Sequence, residues 1–173
     1  MKLAFVDLET TGLDPLKHEI IEIGMVVVDD SDFTIIDQVN IKVKPEHPEL
    51  GEPAAFKVNG YSEEEWDDAM TLHQAMIHLS EHADKATFLA YNATFDWAFI
   101  HVALEKTGHA NPFHYHRIDV LSVAWARIPH DKMQSWALKA CCAYLHIPRE
   151  PQIHRALNGA MCAYQVYREL MRP

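Results

Sequence analysis

Leu3 to Leu8 reads LAFVDL, an apolar run with one carboxylate set into it, Asp7, and a second, Glu9, just past its end. So apolar a run predicts a buried strand, and an ionised carboxylate in such surroundings costs several kcal/mol or more unless something positive pairs with it. Alternate residues of a strand face the same side, so Asp7 and Glu9 converge. With Thr10-Thr11-Gly12-Leu13 following as a turn, the pair reads as a divalent-metal site at a strand end. The competing reading is two solvent-facing acids on an edge strand.

At 173 residues and 49% hydrophobic content, the chain is expected to form one domain, residues 1–173, with a sizeable core. No run approaches the ~20 apolar residues that span a bilayer. The N-terminus meets acids too early for a signal peptide, so a cytoplasmic protein without membrane association is expected. Cys141, Cys142 and Cys162 show no CxxC spacing and read as reduced core residues. The net charge of -10, taken alone, argues against a nucleic-acid partner. Its distribution changes that argument: residues 1–116 hold 7 Lys/Arg against 21 Asp/Glu (net -14), residues 117–173 hold 8 against 4 (net +4). The basic C-terminal third suits phosphates, or is ordinary helix-surface charge.

Strands are expected at 2–8, 19–28 and 33–43, the last two split by an acidic turn, as an antiparallel meander. Residues 45–53 read as a loop, and Ser62 with Glu65 as a capping box opening a short helix. Thr71 caps a helix with Leu72, Ala75, Met76 and Leu79 on one face. A fourth strand is expected at 87–91, a helix at 94–107 stopped by Gly108, a fifth strand at 117–121, and helices at 135–145 and 155–171. Three strands followed by alternating helices and strands predict an α/β fold, a mixed sheet flanked by helices.

Two further features carry chemistry. In AYNATFDWAFI, residues 90–100, Asp96 lies near a helix start, where the helix dipole alone would favour an acid. In IHRALNGA, His154 stands at the start of the last helix. Taken with FVDLETTGL, these residues resemble the DnaQ-like 3′-5′ exonucleases, the DEDDh branch of the RNase H-like superfamily. EIIEIG is similar to that family's second strand, and VNGY to its turn motif, with Asn59 in the place of His. NATFD resembles the second motif and HRALNGA the third, and the resemblance runs through the whole chain in order.

The resemblance implies an RNase H-like fold with a five-stranded mixed sheet, three antiparallel strands first. It implies Asp7, Glu9 and Asp96 as metal ligands, Asn92 as partner of the second motif, and His154 as the base that takes a proton from water. It further implies that Thr10, Thr11, Gly12 and Leu13 touch the 3′-terminal nucleotide; read locally, Gly12 serves equally to close a turn. Two Mg²⁺ ions ~3.5–4 Å apart, with Mn²⁺ as substitute, would serve the hydrolysis. One departure stands out. Five residues after His154, where the pattern has its last metal-binding Asp, this chain has Gly159; Asn158 and Glu150 are the neighbouring oxygen donors.

The expected function is metal-dependent 3′-5′ exonucleolytic release of nucleoside monophosphates from single-stranded DNA or RNA, weakened by Gly159. The alternative is a degenerate nuclease fold that binds nucleic acid or protein. Expected partners are nucleic-acid 3′ ends, with a polymerase or other replication and repair protein, or a second copy, as protein partner. Phe56, Tyr61, Tyr91 and Trp97 are candidates for base stacking or for the core. His78 and His82, and His114 and His116, lack further ligands, and the first pair reads as a solvated face. Asp119 reads as structural or as acting on the site through a neighbour, and Trp136 and Leu138 as packing positions.

Overall fold

In the computed structural model, which describes residues 1–148 and 153–172, the first three apolar runs form the expected antiparallel meander. They are β1 (Lys2–Thr10), β2 (Ile20–Asp29) and β3 (Ile35–Lys42). β4 (Thr87–Ala90) pairs parallel to β1, and β5 (Arg117–Asp119) parallel to β4, giving the order β3-β2-β1-β4-β5 with β1 central. Strand alternation sorts the side chains onto two faces. Ala4, Val6 and Leu8 pack with Ile23, Met25 and Val27 beneath α2 (Leu72–Ala83) and α3 (Ala93–Thr107). Leu3, Phe5, Val26 and Val28 pack on the other face against α4 (Val120–Arg127), α5 (Leu138–Tyr144) and α6 (Ala156–Met171). Asp7 and Glu9 continue the second set, so both point toward α6.

α6 comes unusually close to the sheet, and Gly24 permits it. Gly24 is the register partner of Asp7, and a Cβ built there would lie 2.1 Å from the Ala156 carbonyl carbon. Only a residue without a side chain lets the helix start rest on β2.

Several boundaries differ from expectation. The 45–53 loop contains a 3-10 turn, Pro48–Leu50, and runs into an unforeseen helix α1 (Pro53–Asn59). Pro53 opens it at the first helical position and Gly60, at φ 67, ends it. At Ser62 the capping contact forms, the Glu65 N–H donating to Oγ at 3.2 Å, yet residues 63–68 stay in turns. The reason is Trp66: its ring is buried and its indole N–H donates to the Ile21 carbonyl at 2.7 Å, a seat a regular helix would not reach. β5 stops at Asp119, whose carboxylate accepts from the Ser122 N–H and so caps α4, a helix the sequence reading had not assigned. The 135–145 helix is shortened to α5. His82 stays beside His78 on a half-exposed face, as expected, and also meets Asp37 of β3, Nδ1 to Oδ2 2.5 Å, which draws the Asp37 carboxyl below its usual range.

Candidate active site

β1 runs on past β4, whose pairing with it stops at Phe5. Beyond that point the Leu8 N–H donates to Asp96 Oδ1, 3.1 Å, reaching in from the first turn of α3. Asp96 is 3% exposed. Burial pushes its carboxyl up to about 7, with the Asp119 charge adding and the backbone donors opposing. It buttresses the strand between the two acids and is not part of the open surface beside them.

On the α6 side, Asp7, Glu9, His154 and Gly159 line one cleft of about 730 Å³. Residues from both ends of the chain meet there because α6 is seated on the strand pair that carries Asp7. The far wall is α5 and its approach, with Leu138, Lys139, Ala140 and Cys142 contributing, and Tyr91 and Cys162 complete it. Gly159 stands directly against Asp7: a Cβ at 159 would lie 2.3 Å from Asp7 Oδ2. The Asp7 carboxylate occupies the space in which a side chain at 159 would begin. Glu150, the other expected oxygen donor, lies outside the described residues.

The turn after Glu9 is held by its own bonds. Thr10 Oγ1 donates to the Gly12 carbonyl at 2.7 Å, Thr11 Oγ1 accepts from the Glu19 N–H, and Asn59 Nδ2 donates to the Thr10 carbonyl. Gly12 is needed here for packing: a Cβ would fall 2.6 Å from the His18 ring. Leu13 is 73% exposed, and Asn92, at φ 67, sits exposed at the N-cap of α3. These five residues fall outside the lining of the cleft. Of the four candidate stacking aromatics, Tyr91 alone lines it. Phe56 stacks on Tyr61, and Trp97 packs against Phe88 and Phe113 beneath the Arg117 guanidinium.

Glu22 and Arg155 fix the start of α6, and Arg155, counted from sequence among the basic residues suited to phosphates, is engaged within the fold instead. Glu22 pairs in register with Glu9 and is fully buried; burial raises its pKa, against the pull of Arg155. Arg155 lies 3.9 Å from Glu22, donates to the Asn59 carbonyl at 2.7 Å and to Glu65 Oε2 at 3.2 Å. The neighbouring His154 N–H donates to the Val58 carbonyl. The signal for Glu22 was present in the sequence, since it is an acid within an apolar strand just as Asp7 is.

As a metal site the donor set is hard and oxygen-based, which suits Mg²⁺ or Mn²⁺, but small. Asp7 and Glu9 supply carboxylates to the cleft, Gly159 supplies none, and among the described residues no three of His, Cys, Asp or Glu are grouped to hold an ion. Among those residues, too, no helix is long and apolar enough to cross a membrane.

The five-stranded sheet with β1 central and its two acids facing α6 has the RNase H-like fold of exonuclease domains, and comparison with known proteins makes the family explicit. The RNase_T exonuclease family model matches residues 4–167, and the chain belongs to that family. It is 28% identical to the 3′-5′ DNA exonuclease Cap18 of Escherichia coli over 94% of this chain and 88% of that one. It is 30% identical to ribonuclease T of Haemophilus influenzae over 88% of this chain and 71% of the relative. A PolC-type DNA polymerase III of Thermotoga petrophila is 28% identical over 94% of this chain, which spans only 11% of that polymerase. Among solved structures, E. coli exonuclease I with a dT13 oligonucleotide superposes at a TM-score of 0.80 and 19% identity over 95% of this chain and 39% of that one, a likeness of fold.

Proposed function

We propose that residues 1–173 act as one exonuclease domain that hydrolyses the terminal phosphodiester of single-stranded DNA or RNA from the 3′ end. The observation that carries this reading is the meeting of Asp7, Glu9 and His154 in one cleft, brought from opposite ends of the chain. Asp7 and Glu9 would hold the divalent ion, Mg²⁺ or Mn²⁺, with Asp96 behind them. When bound, it supplies an acidified water and a counter-charge for the phosphate. His154, exposed at the rim, accepts the proton of the attacking water. As the water oxygen bonds to phosphorus, the bond from phosphorus to the O3′ of the penultimate nucleotide breaks. The terminal residue departs as a nucleoside 5′-monophosphate, and the released O3′ takes a proton from solvent. A replication polymerase as partner rests on the PolC-type relatives.

A second reading, a nucleic-acid-binding domain without turnover, is favoured by one observation: Gly159 removes a carboxylate beside Asp7. Losing even an outer partner of a metal ligand lowers affinity or activity ~10–100-fold, so the loss of a ligand should weaken ion occupancy at least as much. The test is degradation of a 5′-labelled single-stranded oligonucleotide in Mg²⁺ and then Mn²⁺, against Asp7→Ala/Glu9→Ala. A ladder shortening from the 3′ end, absent in the double variant, supports the exonuclease. Equal silence of both proteins in both metals refutes it and leaves the binding domain.

A further inference from the structure

An aromatic cluster adjoins the cleft wall through Trp136, next to the lining residue Ala137, and has no part in the site described. Trp125, on α4, is 51% exposed, an unusual position for the largest apolar side chain. Its ring lies 4.5 Å from that of Trp136 and 4.5 Å from that of His130, centroid to centroid. Trp136 is tied to the cleft: Tyr91, which lines it, donates its hydroxyl proton to the Trp136 carbonyl at 2.6 Å, and the next three residues include Leu138 and Lys139 on the cleft wall. Burial keeps that tyrosine neutral and the hydrogen bond intact. The packing position expected at Trp136 is therefore the inner half of a partly open ring surface.

The segment that carries this wall is opposite in charge to the acids across the cleft, and Lys139 is its cation in the lining. Residues 120–148 hold three cations, Arg127, Lys132 and Lys139, against one acid, Asp131, in a chain of net charge -10. Lys132 is paired with Asp131. Lys139 is exposed on the cleft wall, and among the described residues it makes no ion pair.

We propose that Trp125, His130 and Trp136 form a base-stacking subsite for the single strand 5′ of the cleaved nucleotide, with Lys139 holding an intervening phosphate. This rests on the exonuclease reading of the cleft. The rings pack on one another tilted or edge-to-face, at 43°, 60° and 77°, so the half-exposed Trp125 ring offers the stacking face, and an exposed ring beside a cation is what single strands bind without regard to sequence. α5, seven residues and about 10 Å long, walls the cleft up to the platform. A strand of several nucleotides should reach the platform, and a single nucleotide should not.

The experiment compares KM for a 12-mer oligothymidylate with KM for thymidine 5′-(p-nitrophenyl phosphate). The comparison is made in the unmodified protein, Trp125→Ala, Trp125→Phe and Lys139→Ala, with thermal melts to establish folding. The ratio of the two KM values is expected to rise on the order of tenfold in Trp125→Ala, one stacked base, and to recover in Trp125→Phe. Lys139→Ala should lessen the salt dependence of oligonucleotide KM, its log-log slope falling by ~0.7. An unchanged KM ratio in Trp125→Ala overturns the proposal while leaving the exonuclease standing. If neither substrate is hydrolysed, the exonuclease reading fails, and quenching of tryptophan fluorescence by the 12-mer decides the platform. Quenching that disappears in Trp125→Ala upholds it as a binding site; no quenching overturns it too.

Discussion

Gly24→Ala should lift the start of α6 off the sheet and carry His154 away from Asp7. The new Cβ would lie 2.1 Å from the Ala156 carbonyl carbon and 2.2 Å from both its oxygen and the Leu157 nitrogen, where ordinary contact begins at 3.4 Å. The deficit is 3.4 − 2.1 = 1.3 Å. All three atoms are backbone, so no rotamer change relieves it; strand or helix must move. Overpacking of this kind costs about 1–3 kcal/mol. For a domain of this size that is about 2–4 °C per kcal/mol, a melting temperature lowered by roughly 2–12 °C. His154 lies two residues before Ala156, and a misplacement of ~1 Å costs ~10²-fold in rate. Circular-dichroism melts with single-turnover cleavage of a labelled oligonucleotide, below the melting range, read both effects. A variant that melts and cleaves like the parent would refute the seating of α6 on β2 and the dependence of the site on it.

Three other perturbations test the surroundings of the cleft. Arg155→Ala removes the strongest charge partner of the buried Glu22, leaving it Asn40, Lys42 and the Ala156 backbone, and should lower stability by about 1–3 kcal/mol. Adding Glu22→Gln should restore part of that loss, and strict additivity in denaturant titrations would disprove the coupling. Asp96, raised from 3.8 to about 7, keeps its proton in the folded chain after the unfolded chain has lost its own. Its contribution is full below pH ~4 and is lost as pH rises through ~7. Asp96→Asn should therefore flatten the metal-free melting profile between pH ~4 and ~8, removing a dependence of a few kcal/mol at ~1.4 per unit; a profile parallel to the parent's would refute the burial effect. Gly159→Asp should lower the metal-free melting temperature, since its Cβ meets the Asp7 carboxylate, and Mn²⁺ should raise the variant's melting temperature more than the parent's. An equal Mn²⁺ response in the two would show that residue 159 gains no ligand role.

The central strand and its acids were legible because an acid in an apolar run is energetically anomalous, and the anomaly survives without any tertiary information. The meander and the helices α2, α3 and α6 were legible from periodicity over ten or more residues. What escaped was short or decided at a distance. α1 and α4 are seven and eight residues long, too brief for a periodic signal. The turn around Trp66 carries a capping pattern, but the ring's seat against Ile21 overrides it. The exposure of Trp125 is likewise a tertiary outcome, since an Ala- and Val-rich segment with one tryptophan reads as core. Glu22 was legible by the reasoning used for Asp7, yet its partner Arg155 is remote in sequence, so its role as an anchor was not.

Gly24 and Gly159 bear on the same carboxylate from opposite directions. Gly24, beside Asp7 in the sheet, lets the helix in; Gly159, on that helix, leaves the space that the Asp7 carboxylate fills. Replacing Gly159 alone therefore cannot add a fourth acid to an otherwise unchanged site, because the first atom of the new side chain lands on the Asp7 carboxylate. Asp7 must rotate, and two carboxylates forced together repel unless a cation lies between them. The divalent ion is thus what would make an aspartate at 159 tolerable, by lying between the two carboxylates once that of Asp7 has turned aside. The state of the site is decided by the distance between helix and strand as much as by the identity of one residue.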